Sequence, residues 1–190
     1  QRWAKLLDIP ESKAITCVKP SGTVSQLVDS SSGIHARHSP YYIRTVRGDN
    51  KDPLTLFLKE QGVPSEADVM KPDTQTVFSF PMKSPKDAVT RHDMTAIEQL
   101  EMWLVYQRHW CEHKPSVTVT VRDEEWMEVG AFVFKHFDEM SGVSFLPHSE
   151  HTYQQAPYQD CTKDVYDKLS GEFTHIDWAK LQDYEKEDTT

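Results

Sequence analysis

Cysteine is scarce in this chain: Cys17, Cys111 and Cys161 are odd in number and widely spaced. That excludes a disulfide framework and a paired-cysteine zinc site, and it fits free thiols in a reducing, cytoplasmic setting. Long apolar runs are also missing. None approaches the ~20 residues of a membrane helix, and no secretory signal is visible, so neither membrane insertion nor export is expected. Positive charge is in deficit, with 21 Lys and Arg against 30 Asp and Glu and a net charge of -9. A nucleic-acid partner is not expected on that balance, because such binding rests on basic residues neutralising phosphates. A small phosphorylated ligand held by backbone dipoles is not excluded. There is no Walker-type loop, which needs four residues between two glycines before Lys and Ser/Thr. No local motif supports a Ser-His-Asp or Cys-His set. The chain opens Gln1-Arg2-Trp3 without methionine, as expected of a processed or excised piece.

What the sequence does hold centres on Lys19-Pro20-Ser21-Gly22-Thr23-Val24-Ser25. The apolar run Ala14-Ile15-Thr16-Cys17-Val18 before it reads as a strand, and Val24-Ser25-Gln26-Leu27-Val28 after it as a short helix. A strand, a turn with one glycine and three hydroxyls, and a helix start make an anion site, because the first amides of a helix lack intrahelical partners. Gly22 removes a Cβ that would keep a phosphate from the backbone. Ser21, Thr23 and Ser25 can donate O–H bonds to phosphate oxygens. The same residues also suit an ordinary capped turn, with Ser21 or Thr23 as the cap.

With 190 residues, 37% hydrophobic and 27% charged, the chain suffices for one domain with a real core or for a large piece of a bigger one. Residues 3–7 read as the end of a helix stopped at Asp8-Ile9-Pro10. Residues 41–46, rich in aromatic and β-branched types, read as a strand. Asp52-Pro53 opens a helix with Leu54, Phe57 and Leu58 on one face, ended by Gly62. Residues 63–75 read as a loop, and residues 76–80 as a strand closed by Pro81. Thr95-x-x-Glu98 is a capping box for the longest helix, with Ile97, Leu100, Trp103, Leu104 and Trp110 as core. Residues 116–121 alternate valine with Ser/Thr, as in a strand with one apolar and one polar face. Asp123-Glu124-Glu125 opens a helix with the stripe Trp126, Val129, Val133 and Phe137. Residues 142–146 form the last strand, residues 164–169 a short helix, and residues 183–190 a fraying tail. The repeated β/α order predicts a parallel sheet or part of an α/β barrel. The Ser/Gly turn, Arg122 and His148 would then share the rim at the strands' carboxyl ends.

Other chemistry-bearing residues keep two readings each. One of Arg37, Arg44 and Arg47 faces a ligand phosphate, or all three are solvated. His35 and His38 are a metal pair or polar loop groups. His109-x-Cys111-x-His113 offers metal ligands without the second pair that zinc sites use, or its histidines meet the last carbonyls of a helix; no metal site is expected. Glu124 and Glu125 look like surface charges. Cys161 is a reactive thiol or a bystander.

Taken in order, Lys19-Pro-Ser-Gly-Thr-Val-Ser25, Ser32-Gly-Ile-His35, Tyr41-Tyr-Ile-Arg44, Asp93-Met-Thr-Ala96 with Gln99-Leu-Glu101, Ser116-Val-Thr-Val119, Val143-Ser-Phe-Leu146 and Gln155-Ala-Pro-Tyr158 resemble the C-terminal part of a ribonucleotide reductase large chain. The resemblance is strongest to the adenosylcobalamin-dependent class, of the ribonucleoside-triphosphate reductase type, and covers roughly residues 1 to 170. It implies an α/β fold, the second half of a ten-stranded barrel, with about five strands and interleaved helices. It implies a half-barrel over residues 1–150 and a partly irregular extension over 151–190. It further implies that Ser21, Gly22, Thr23, Val24 and Ser25 bind substrate phosphates, and that the cofactor is adenosylcobalamin; His148 and Tyr153, near the end of the last strand, are taken as its candidate contacts on position alone. The implied partners are the ribonucleotide substrate, the N-terminal half of the reductase in the same or a split chain, and a thioredoxin-type reductant. The family's radical cysteine lies in Asn-x-Cys-x-Glu, and no Cys-x-Glu occurs here; no catalytic residue is therefore expected in this chain. A class I reductase and a non-catalytic nucleotide- or phosphate-binding module are the alternatives.

Overall fold

The computed structural model describes residues 1–21, 24–148, 153–173 and 176–185. In chain order its elements are α1 (Arg2–Leu6), α2 (Val24–Leu27), β1 (Tyr41–Asp49), α3 (Pro53–Glu60), β2 (Ser65–Ala67), β3 (Gln75–Lys83), α4 (Ala96–His109), β4 (Val117–Val121), α5 (Trp126–Lys135), β5 (Val143–Pro147), β6 (Tyr158–Asp160), α6 (Lys163–Glu172) and α7 (Leu181–Glu185). The chain divides into two compact units, Gln1–Arg37 with Asp87–Ser149, and His38–Lys86 with Glu150–Thr190.

The first unit is built on β4, α5 and β5. The two strands are parallel, with Val117 opposite Val143 and Val121 opposite Pro147, and α5 lies between them in sequence. The expected alternation in β4 holds. Val117, Val119 and Val121 are buried, and Thr118 and Thr120 only partly so. The valines pack against Leu100, Trp103 and Leu104 of α4 and Val129 of α5. Trp103 is fully buried and its Nε1–H donates to the Pro115 carbonyl at 3.2 Å, which removes the penalty of an unpaired indole in a core. The capping box at the head of α4 forms as expected, with the Glu98 amide on Thr95 Oγ1 at 3.2 Å and the Thr95 amide on Glu98 Oε2 at 2.7 Å. Trp110 and Phe137, expected in the apolar stripes, are exposed instead. Trp110 is the C-cap of α4 with non-helical backbone, and Phe137 lies past the end of α5, so neither keeps its helix's phase.

The second unit is an antiparallel sheet in the order β2-β3-β1-β6. Its core is Phe57 and Leu58 of α3 with Val63 and Phe78. Asp52 caps α3 through the Leu54 amide at 2.8 Å, as expected. The buried face is Thr55, Phe57 and Leu58, and Leu54 is exposed.

Several expectations are corrected. The segment 14–18 is not a strand. Its polar groups go to a turn, with the Ile15 amide on Glu112 Oε2 at 2.7 Å and the His113 amide on the Thr16 carbonyl at 3.1 Å. A fully parallel sheet is not formed either. β1 pairs antiparallel with both β3 and β6, because each connects within its own unit and only β4-α5-β5 is a crossover of the parallel kind. The loop 63–75 contains β2. Pro81 does not close β3, which continues to Lys83. The Ser79 amide bonds Pro64 on the β2 side, and two residues on, the Pro81 nitrogen faces that same side beyond Ser65, the first residue of β2, where no ladder bond is lost. The extension expected to be partly irregular contains β6, and α6 is longer than expected. Glu150–Thr190 groups with His38–Lys86, and the residues before it are split between the two units. Residues from 153 onward add β6 to β1, and Trp178 and Tyr184 pack on Phe57 at ring distances of 5.6 and 5.8 Å. The expected fraying tail lies outside the described residues from 186 on.

Candidate functional site

Two groups of residues in the first unit carry candidate chemistry. The first is the turn before α2. Gly22 and Thr23 lie outside the described residues. The Ser21 amide donates to Ser32 Oγ at 3.1 Å, and the Ser21 carbonyl accepts from the Val24 amide at 3.1 Å. Val24 is exposed, whereas Ser25 is buried and its carbonyl accepts from the Ser30 amide at 2.9 Å. The loop that supplies Ser32 bends back against the turn. Gly33 has φ +59, and a Cβ there would lie 3.5 Å from the Lys19 carbonyl and from Pro20 Cα. The conformation, more than the space, selects glycine.

His35 anchors that loop. Its Nδ1 is 2.8 Å from the Ser32 carbonyl, and its Nε2 accepts from the Thr118 amide of β4 at 3.1 Å. The other end of α2 is held by Arg37, which is buried and bonds both the carboxylate of Asp29, at 2.6 Å, and its carbonyl. Arg37 itself is fixed through its backbone to Val89 and Arg91, at 2.9 and 2.8 Å.

The second group sits at the carboxyl ends of the parallel strands. The His148 amide bonds the Val121 carbonyl at 2.7 Å, so Arg122 and His148 share one end of β4 and β5, as expected. His148 lies edge-on to His92 with ring centroids 6.4 Å apart, and Arg122 Nη2 bonds the His92 carbonyl at 3.4 Å. The expected company of the Ser/Gly turn at this end is not what the bonds give. The turn is tied through His35 to Thr118, the second residue of β4.

Each of the three arginines bonds or stacks on other protein groups, and Arg47 does so while exposed. Arg37 holds Asp29, Arg44 lies 4.4 Å over the Tyr158 ring, and Arg47 bonds Asp68 Oδ2 at 2.6 Å and the Gln155 carbonyl at 3.1 Å. Arg44 and Arg47 tie segments distant in sequence, whereas Arg37 closes a local loop. The Arg47 bond, with amide bonds from Met70 and Lys71, holds the Asp68 carboxyl below its ordinary value against the opposing pull of burial. His38 pairs with Asp160 at 3.0 Å and packs against Tyr42 and Tyr158. Cys111 is buried, and among the described residues no group of three His, Cys, Asp or Glu is placed to hold a metal ion. Glu125 is not a surface charge. It accepts from the Ala96 amide at 2.9 Å and the Arg122 amide at 2.8 Å. Burial and the neighbouring Asp160 raise the Cys161 thiol, which disfavours the reactive thiolate. Tyr153 is exposed. Sequence reasoning missed the roles of His35, His92 and Glu125. The Ser32-Gly-Ile-His35 string was the one available signal, and it named the residue but not its partner on β4.

No family model matches the chain. The fold is that of a mixed α/β segment of the ribonucleotide reductase kind: a solved B-12 dependent (class II) ribonucleotide reductase matches all of this chain and 27% of its own, at a TM-score of 0.79 and 30% identity. Among curated proteins, an adenosylcobalamin-dependent ribonucleoside-triphosphate reductase of Lactobacillus delbrueckii subsp. bulgaricus is 33% identical over 92% of this chain and 24% of its own length. A probable one of Dictyostelium discoideum is 30% identical over 100% and 25%, and that of Euglena gracilis 32% over 85% and 22%. The chain is thus homologous to a portion of the class II, adenosylcobalamin-dependent ribonucleotide reductases, and it spans about a quarter of the length of the curated relatives it matches.

Proposed function

We propose that this chain is the C-terminal portion of a ribonucleotide reductase catalytic chain, and that it binds the substrate's phosphates while a segment elsewhere supplies the radical cysteine. The observation that carries this is the similarity over nearly the whole chain, in sequence and in fold, to proteins named as such reductases. On this reading β4-α5-β5 is one piece of the second half of a ten-stranded α/β barrel. Among the described residues β5 has a strand partner on one side only, and the next barrel strand would pair with its other edge. The relatives cited are all of the adenosylcobalamin-dependent kind, which favours class II over class I.

Residues 21–25 would hold the phosphates of a ribonucleoside triphosphate. The support is the Pro20-Ser21-Gly22-Thr23 string and the anchoring of Ser21 by a loop that β4 fixes in place. The amides and hydroxyls of this turn would donate to phosphate oxygens, leaving the ribose free to face the reacting groups. For the cofactor, His148 and Tyr153 are the candidate contacts. His148 is half-buried against His92 and Tyr153 is exposed, and either ring would pack against the bound cofactor. When bound, adenosylcobalamin supplies the radical that starts the reaction. A thioredoxin-type reductant would serve the complete enzyme.

The test is to mix the chain with a polypeptide carrying the rest of a relative's sequence and to assay deoxynucleotide formation with adenosylcobalamin. Activity is expected from the two pieces together and from neither alone; inactivity of a stably formed complex overturns the reading. The double variant Ser21→Ala, Thr23→Ala is expected to weaken ribonucleoside triphosphate binding by ~1–3 kcal/mol, the scale of hydrogen bonds to charged groups. Unchanged affinity by calorimetry would end the phosphate assignment.

A further inference from the structure

We infer that His35 is a positioning residue for the Ser21 turn: as the neutral Nδ1–H tautomer, its imidazole ties Ser32 to β4, and Ser32 in turn holds the Ser21 amide. The inference rests on the phosphate role proposed for residues 21–25 and names the group that sets their place. A backbone amide only donates, so Nε2, 3.1 Å from the Thr118 nitrogen, must accept. A carbonyl only accepts, so Nδ1, 2.8 Å from the Ser32 oxygen, must carry the proton. One neutral tautomer satisfies both partners. A charged ring would set Nε2–H against the Thr118 N–H.

The link continues in both directions. The Ser32 carbonyl also accepts from the His35 amide at 3.1 Å, and Ser32 Oγ takes the Ser21 amide at 3.1 Å. Ser32 is thereby held on its carbonyl and uses its hydroxyl on the turn. At the other end Thr118 belongs to a strand whose Val117, Val119 and Val121 are buried and which is paired with β5 along its length. A packed strand is a stiff reference, and a side chain bonded to it passes that stiffness on. Hydroxyls and amides that meet a phosphate act through their placement to within a fraction of an ångström, so loosening Ser32 would weaken binding without removing any phosphate contact.

Long-range proton–nitrogen NMR on the full chain reads the tautomer directly. The expected result is a proton on Nδ1 and none on Nε2; the reverse tautomer or a charged ring at neutral pH overturns the inference. Three variants read the coupling. His35→Ala is expected to speed Ser21 amide exchange by ~10-fold, the size of one lost hydrogen bond. His35→Asn, which puts a donor near the Nδ1 position, should recover much of the protection, and His35→Gln, which reaches only toward Thr118, should recover less. Unchanged Ser21 exchange in a folded His35→Ala variant overturns the inference, as does equal rescue by Asn and Gln. Titration with CTP as the probe should show His35→Ala binding ~10-fold more weakly and His35→Asn in between; equal affinity across the set overturns the positioning role. Absence of CTP binding by the unaltered chain overturns the phosphate reading alone, and the tautomer and exchange rates then still decide the link from β4 to Ser21.

Discussion

Glu139 receives Arg108 Nε and Nη2 on its two oxygens, both at 2.6 Å, and His136 Nδ1 lies 3.1 Å from one of them. The bidentate guanidinium, then the histidine, lower the Glu139 carboxyl from 4.5 to about 2, with burial opposing. The folded value lies below the unfolded one, so the stabilisation is fully present above the unfolded value and is lost as pH falls through the folded one. Denaturant midpoints are expected to fall between pH 4.5 and about 2, and to fall less steeply over that window in Glu139→Gln. A parallel decline in both proteins would remove Glu139 as a cause. At this scale the sequence was least informative. His136 and Glu139 are three apart and readable as neighbours, but Arg108 reaches them from another helix, and nothing in 108 announces 139. The same holds for Arg47 with Asp68 and for His35 with Thr118. A charged residue's partner is chosen by the chain's path, not by its own neighbours.

Elements were far more legible, because their signals are local. The capping box at Thr95, the Asp52-Pro53 start and the valine alternation of β4 each appear where the residues place them. Thr95→Ala is expected to destabilise the chain by about 1 kcal/mol, the usual value of an N-cap, measurable by equilibrium unfolding. A loss near zero would mean that Glu125, which also bonds the Ala96 amide, suffices to cap α4. Gly48 adds a constraint that no local pattern reveals. A Cβ there would overlap Thr55 Oγ1 of α3, and Thr55 is buried. Gly48→Ala is therefore expected to cost about 1–3 kcal/mol from overpacking, and Gly48→Ala with Thr55→Ser, which keeps the hydroxyl, should recover little. Where element expectations fail, the failure is one of pairing. Residues 14–18 have strand composition but find a carboxylate and a turn instead of a ladder. Pro81 stays inside β3 because its nitrogen faces an edge.

For the molecule as a whole, the two edges of the parallel pair differ. β4's outer amides at Thr118 and Thr120 reach His35 and Gln99, at 3.1 and 3.4 Å, whereas β5 has no strand on its outer side among the described residues. Hydrogen exchange should therefore find the outward amides of β5 faster than those of Thr118 and Thr120. On mixing with the rest of a relative's sequence, β5 alone should gain protection if a barrel strand joins it. No change at β5 in an active mixture would count against the half-barrel. Composition, capping and periodicity by themselves determined that the chain is α/β and where most helices begin, and they singled out one string of hydroxyls and glycine as the candidate anion site, because each depends on residues within one or two turns of one another. Only the tertiary structure decided that one strand pair is parallel and the larger sheet antiparallel, that residues 158–160 join 41–49, and that an imidazole ties its own loop to β4. Those outcomes depend on which distant groups can satisfy each other's hydrogen bonds once the apolar faces have closed.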